Sequence, residues 1–230
     1  MQSRQEHLLK HLVKLYIRSA DPISSSALVG MDDELDVSSA TIRNEMAFLE
    51  EEGYVSQPHT SAGRIPTEKG YRFYVDNFLE ARTLLEEVEK RFQEAATITD
   101  VELVVKRVAK ALAELTHEAV IVSFDEDDIY YTGLAYLLSQ PEFRTPEQVA
   151  YVSQLLDQCE QVMSEISNIV ASDETQILIG QENPFGESCA LVVSPFQHGF
   201  MGVLGPTRMD YEYTLTLMNR ATQLLNSMHF

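Results

Sequence analysis

VSSATIRNEMAFLEEEGYVSQPHTSAGRIPTEKGYRFY, residues 37–74, is the stretch whose reading decides the fold. Ser38 or Ser39 can cap a helix by accepting hydrogen bonds from the free N–H groups of its first turn. Ile42, Met46 and Leu49 follow at helical spacing and define a buried face. Ala40, Asn44 and Ala47 lie on the opposite face, flanked by Thr41 and Arg43. Gly53 stops the helix. Tyr54-Val55 and Arg64-Ile65 can pair as short strands around the polar PHTSAGR, Pro66 breaks the second strand, and Thr67 starts another helix. This order predicts a recognition helix followed by a wing, the layout of a winged helix-turn-helix domain.

The chemistry of those residues suits double-stranded DNA. Two alanines around Asn44 allow close approach to a groove floor, where an amide reads adenine and Arg43 reads guanine or holds phosphate. A hairpin tip bearing His59, Thr60, Ser61 and Arg64 can lie along phosphates or enter a minor groove. The helix face alone fits an ordinary solvated surface equally well; the hairpin after it favours docking.

Upstream, Leu8, Leu9, Leu12, Val13, Leu15 and Tyr16 form an apolar stripe over residues 3–19. Asp21-Pro22 ends that helix, and Ser24 or Ser25 caps a short one stopped by Gly30. The N-terminal DNA-binding domain is thereby placed at residues 1–75.

The net charge of −19 is unevenly shared. Residues 1–75 hold eight Lys/Arg and eleven Asp/Glu; residues 76–230 hold nine and twenty-five. The second part repels nucleic acid. The first must bind through a local patch, which Arg43, Arg64, Lys69 and Arg72 supply, with His59 as a neutral donor. Most acids of the first part are expected elsewhere, in Asp32–Asp36 and Glu50–Glu52.

From Thr67 the helical pattern runs to about Ala95, with Gly70 as an interior weak point. Tyr71, Phe78, Leu85 and Phe92 recur every seven residues, which suits pairing with another helix or packing on the same chain. Phe78, Leu85 and Phe92 are the expected dimerisation contacts. Thr97–Asp100 interrupts the pattern and caps a further helix to about His117, so residues 76–117 read as a helical linker. Residues 118–230 read as an α+β domain with a mostly antiparallel sheet: strand runs at 119–124, 176–180, 189–194 and 200–205, a helix from Thr145-Pro146 to about Val170, and a final helix over 208–227.

An enzyme is not indicated. DEDD at 125–128 offers carboxylates in a turn, where they stay solvated. GPTRM at 205–209 precedes a helix and reads as capping, because an anion loop of the Walker type needs more glycines and a lysine. Ser188 and Cys189 have no fixed pattern coupling them to His198 or His229. Cys159 and Cys189 are too few and too far apart for a disulfide framework or a zinc site. No cofactor or metal is expected. No apolar run is long enough for a bilayer, which points to a cytoplasmic protein.

SSATIRNEM, LEEEGY, QPHTSAGRIPTEKGYRFYVD, IGQEN and GVLGPTRMDY, with PEF at 141–143, together resemble the heat-inducible transcription repressor HrcA family. The resemblance implies a homodimeric repressor that binds an inverted-repeat operator called CIRCE ahead of chaperone operons, with chaperonin as a further partner. It implies DNA contacts at Ser39, Thr41, Arg43 and Asn44, and at His59, Thr60, Ser61 and Arg64. It also implies a GAF-like domain at residues 118–230. The departure is length. Where family members carry a long stretch after the strand at 119–124, this chain has DEDD, so part of the GAF-like sheet and much of an inserted dimerisation domain have no counterpart. Two other functions fit the same residues: a winged-helix regulator controlled by a small effector in the GAF-like domain, and a protein–protein module that no longer binds DNA.

Overall fold

In the computed structural model, residues 1–59, 62–97, 100–124, 128–157, 159–170 and 174–228 are described, without the side chains of 152, 155–157 and 159–161. They form two compact units, Met1–Leu79 and Glu80–Phe230. Thr60 and Ser61, the first three residues of the DEDD turn, and His229 lie outside the described residues.

The first unit holds α1 (Ser3–Ser19), α2 (Ser25–Leu28), α3 (Ser39–Glu51), a hairpin of β1 (Val55–Ser56) and β2 (Ile65–Pro66), and α4 (Glu68–Phe78). Leu8, Leu9, Leu12 and Val13 of α1 meet Leu28, Leu35, Ile42 and Leu49, all fully buried. Each such side chain stabilises the unit by about 1.5–3 kcal/mol. Ser38 caps α3, accepting from the Thr41 N–H at 3.2 Å. Thr67 caps α4 through the Gly70 N–H and donates to the Gly53 carbonyl. The strands pair one residue later than expected, Val55 with Pro66 and Ser56 with Ile65, so Pro66 ends β2 from within it. Gly70 is not a weak point: a Cβ there would sit 2.1 Å from the Tyr54 carbonyl oxygen, and glycine is what lets the helix approach.

The second unit begins with α5 (Glu86–Ala95) and α6 (Val101–Thr116) and ends with α10 (Tyr211–Ser227). Between them stand β3 (Ala119–Ser123), β4 (Ile129–Thr132), α7 (Leu134–Ser139), α8 (Pro146–Asp157), α9 (Cys159–Ile169), β5 (Gln176–Ile179), β6 (Cys189–Phe196) and β7 (Gly199–Pro206). The sheet order is β4-β3-β7-β6-β5, with every pair antiparallel. Ala119, Ile121, Leu191, Val193 and Leu204 face one side, where Leu137 of α7 and Met163 and Ile166 of α9 cover them. The alternate residues Val120, Val122, Val192 and Val203 are equally buried on the other side, where α6 packs on β3 and α10 on β6. A sheet covered on both faces reads as continuous apolar runs.

The helix expected to run from Thr67 to about Ala95 stops at Phe78 and restarts at Glu86. Helix propensity in LEARTLL is overridden by tertiary bonds. The Arg82 N–H donates to Thr216 Oγ1 at 3.0 Å, and its guanidinium grips Asp210 at 2.8 Å and Glu212 at 3.0 Å. The seven-residue stripe is therefore not one face. Phe78 packs beside Phe73 and Tyr74 in the first unit, Leu85 is 74% exposed, and Phe92 is fully buried in the second unit. α5 and α6, in the stretch expected as a helical linker, pack on each other, and α6 packs on β3 and α10. The helix expected from Thr145 to about Val170 is found as α8 and α9, on either side of residue 158, which lies outside the described residues.

Candidate nucleic-acid interface

α3 turns Ile42, Met46 and Leu49 inward and leaves Ala40, Arg43 and Asn44 exposed. Arg43 and Asn44 make no side-chain hydrogen bond among the described residues, so both are available to a ligand. The hydroxyls nearby are engaged. Ser39 Oγ meets Ser25 Oγ at 2.8 Å and ties α3 to α2, while Thr41 Oγ1 meets Ser38 Oγ at 3.0 Å. Between α2, α3 and the hairpin runs a polar cleft of about 350 Å³, lined by Ser24, Ser25, Arg43, Gln57 and Arg64 among others.

The hairpin tip is drawn together by Gln57 Nε2, which donates to the Ala62 carbonyl at 2.9 Å, and by the Ala62 N–H on His59 O at 2.8 Å. His59 is exposed. Arg64 is not: Glu50 Oε2 holds its Nη2 at 2.7 Å, and its side chain is 17% exposed. The basic patch is thus less uniform than its residues suggest. Lys69 donates to the Glu52 carbonyl at 2.7 Å, stacks over Tyr54 at 4.2 Å, and so sits at the C-terminal end of α3. Arg72 pairs with Asp76 at 3.4 Å. The acids do not all lie elsewhere either. Glu50 is on Arg64, and Glu45 is held by Gln5 at 3.0 Å and Arg4 at 3.6 Å. Sequence reading missed Glu50, Gln57 and the backbone bridge of Ile23 to Arg64. A lone β-branched residue between Pro22 and Ser24 was the one signal for that bridge.

The turn before α3 is anchored by Asp32. His7 Nδ1 and His11 Nε2, one helical turn apart on α1, both reach its Oδ2, at 2.8 and 2.7 Å. Burial alone would raise the Asp32 carboxyl; hydrogen bonds from the two histidines and their charge outweigh it and hold the group below its ordinary value of 3.8. A depressed carboxylate contributes stability that is full above the unfolded value and lost as pH falls through the folded one. Asp32→Asn is expected to cost about 1–2 kcal/mol at pH 7. That cost should fade toward pH 3 in urea unfolding; an equal penalty at both pH values would rule out the carboxylate charge as its source.

The cap of α10 is Asp210, just after the GPTRM turn, whose carboxylate accepts from the Tyr213 N–H at 3.2 Å. Among the described residues no group of three His, Cys, Asp or Glu is placed to hold a metal ion, and no helix is long and apolar enough to cross a membrane.

Comparison with known proteins completes the picture. The model of the HrcA protein C-terminal domain matches residues 71–215. A heat-inducible transcription repressor HrcA from Brevibacillus brevis is 28% identical over 337 aligned positions, covering 99% of this chain and 98% of that protein. Because this chain has 230 residues, the relative carries a long stretch without counterpart here. The repressor of the same name from Bifidobacterium longum is 47% identical over 124 residues, 53% of this chain and 33% of that protein. A crystal structure of a hypothetical protein at 2.2 Å resolution shares the fold, with a TM-score of 0.77 and 20% identity over 98% of this chain and 96% of that one. These similarities define a transcription regulator rather than an enzyme. The chain belongs to the HrcA family.

Proposed function

We propose that this chain represses heat-shock genes in the cytoplasm by binding, as a homodimer, an inverted-repeat DNA operator of the CIRCE type. The first unit acts as a winged helix-turn-helix, with α3 in the major groove and the β1–β2 hairpin as the wing. Arg43 and Asn44 read base edges; Ser39 and Thr41 stand at the N-terminal end of the same helix. His59, Thr60, Ser61 and Arg64 belong to the wing, and Lys69 and Arg72 extend the basic surface along α4. The second unit is a shortened GAF-like domain that serves assembly and the response to chaperonin. An inverted repeat needs two copies related by a two-fold axis. Of the three residues first assigned to the dimer contact, Leu85 alone keeps a mostly exposed apolar side chain. Control by a small effector finds less support, since both faces of the sheet are filled by its own helices.

The observation that carries this reading is the pair Arg43 and Asn44, exposed and without side-chain hydrogen-bond partners among the described residues, beside small alanines on a helix whose other face is core. Asn44→Ala is expected to cost about 1–3 kcal/mol on the inverted repeat and to relax one base position. Titration of the full chain against specific and random duplexes decides it: equal weakening on both would exclude base reading by Asn44.

A further inference from the structure

The Arg64–Glu50 pair lies between the hairpin and α3. Resting on the DNA reading above, we propose that this pair is a positioning lock, which sets the angle of the hairpin against the recognition helix, and that Arg64 is not a phosphate contact.

Three elements converge on Arg64. Glu50 on α3 binds its guanidinium at 2.7 Å. Ile23, just before α2, takes both backbone groups: the Arg64 N–H donates to Ile23 O at 2.8 Å, and the Ile23 N–H to Arg64 O at 2.9 Å. The chain then enters β2. The approach is as close as a backbone allows, because a Cβ on Gly63 would lie 2.2 Å from the Ile23 carbonyl oxygen and 2.4 Å from its carbon. Neither atom belongs to a side chain that could swing aside. Arg64 Nε is buried without a hydrogen-bond partner among the described residues, so the guanidinium is seated in protein rather than turned outward.

Electrostatics agrees. A guanidinium on a carboxylate has already lost most of its field, and a phosphate brought to it would also meet Glu50. Phosphate contacts release counterions and appear in the salt slope of binding, about one unit per neutralised phosphate. A lock contributes geometry and leaves that slope alone. The two roles therefore make opposite predictions for the acid. If Arg64 were a phosphate ligand, removing the negative charge of Glu50 would tighten binding. If the pair is a lock, removing it weakens binding although the protein becomes less negative.

The test uses the full chain, a CIRCE-type inverted-repeat duplex and a random duplex of equal length, at several salt concentrations. Glu50→Gln and Arg64→Gln are each expected to weaken binding to the inverted repeat about tenfold with the wild-type salt slope. The exchanged pair, Glu50→Arg with Arg64→Glu, should recover most of the loss. Amide hydrogen exchange at Ile23 and Arg64 in the free protein should speed up in both single variants and slow again in the exchanged pair. Tighter binding by Glu50→Gln, a salt slope reduced by about 1 in Arg64→Gln, or unaltered amide exchange would overturn the lock. Weakening by Asn44→Ala with none by Glu50→Gln would overturn the lock and leave the DNA reading standing. Failure of the wild-type chain to bind the duplex would overturn both.

Discussion

Between pH 5 and pH 9 the second unit is expected to lose stability by up to about 1.4 kcal/mol per pH unit through Glu118 alone, and Glu118→Gln should abolish that slope. Glu118 opens the edge of the sheet unit between the C-terminal cap of α6 and β3 and is 6% exposed. Its Oε2 has no hydrogen-bond partner among the described residues. It lies under Gly205, where a Cβ would come within 2.7 Å of that oxygen. Burial pushes the carboxyl up to about 9; the Arg208 charge pulls it down and Glu142 pushes it back up. Arg208 gives little relief because Glu142 and Gln140 already hold it. The unfolded chain releases the proton near the ordinary 4.5. The folded state therefore holds one more proton across the window from there to about 9. Stability from this group is full below the lower value and lost as pH rises through the upper one. Denaturant unfolding of wild type and variant at pH 5, 7 and 9 measures it, and parallel profiles would refute it.

Phe92→Ala is expected to destabilise the second unit by about 3–5 kcal/mol, the range for deleting a large, well-packed aromatic side chain. Phe92 is fully buried, with Val88 and Ala95 of the same helix at its sides. Leu85→Asp, at a side chain 74% exposed and at the N-cap position of α5, should not lower that stability. Unfolding measured by circular dichroism separates the two. A Phe92→Ala chain as stable as wild type would return the residue to a surface role. The contrast also settles which substitution can probe assembly: only the Leu85 change alters the surface without emptying the core.

The sequence was most legible where local chemistry decides structure. Ser38, Thr67 and Asp100 cap the helices expected of them. The runs AVIVS and CALVV became central strands because a sheet buried on both faces needs unbroken apolar stretches. The outward face of α3 was readable because its inward face is strictly periodic. Legibility failed where distant contacts decide. Nothing local in LEARTLL announces that Arg82 will be gripped by Asp210 and Glu212, more than a hundred residues on. IYYT and LAYLLS, now β4 and α7, were passed over because short apolar segments carry little periodicity. Arg64 reads as a DNA contact in sequence because its charge is visible there and its pairing with Glu50 is not.

Cys189, at the start of β6, is fully walled in, and burial pushes its thiol up to about 12, with Glu118 adding to the rise. At neutral pH roughly one molecule in 10⁵ carries the reactive thiolate. Oxidants and alkylating reagents thus find this sulfur silent while the sheet is closed. Warming that parts β6 from its neighbours would return the thiol to water and to ordinary reactivity, which makes Cys189 an internal clock: its labelling rate counts openings of the sheet.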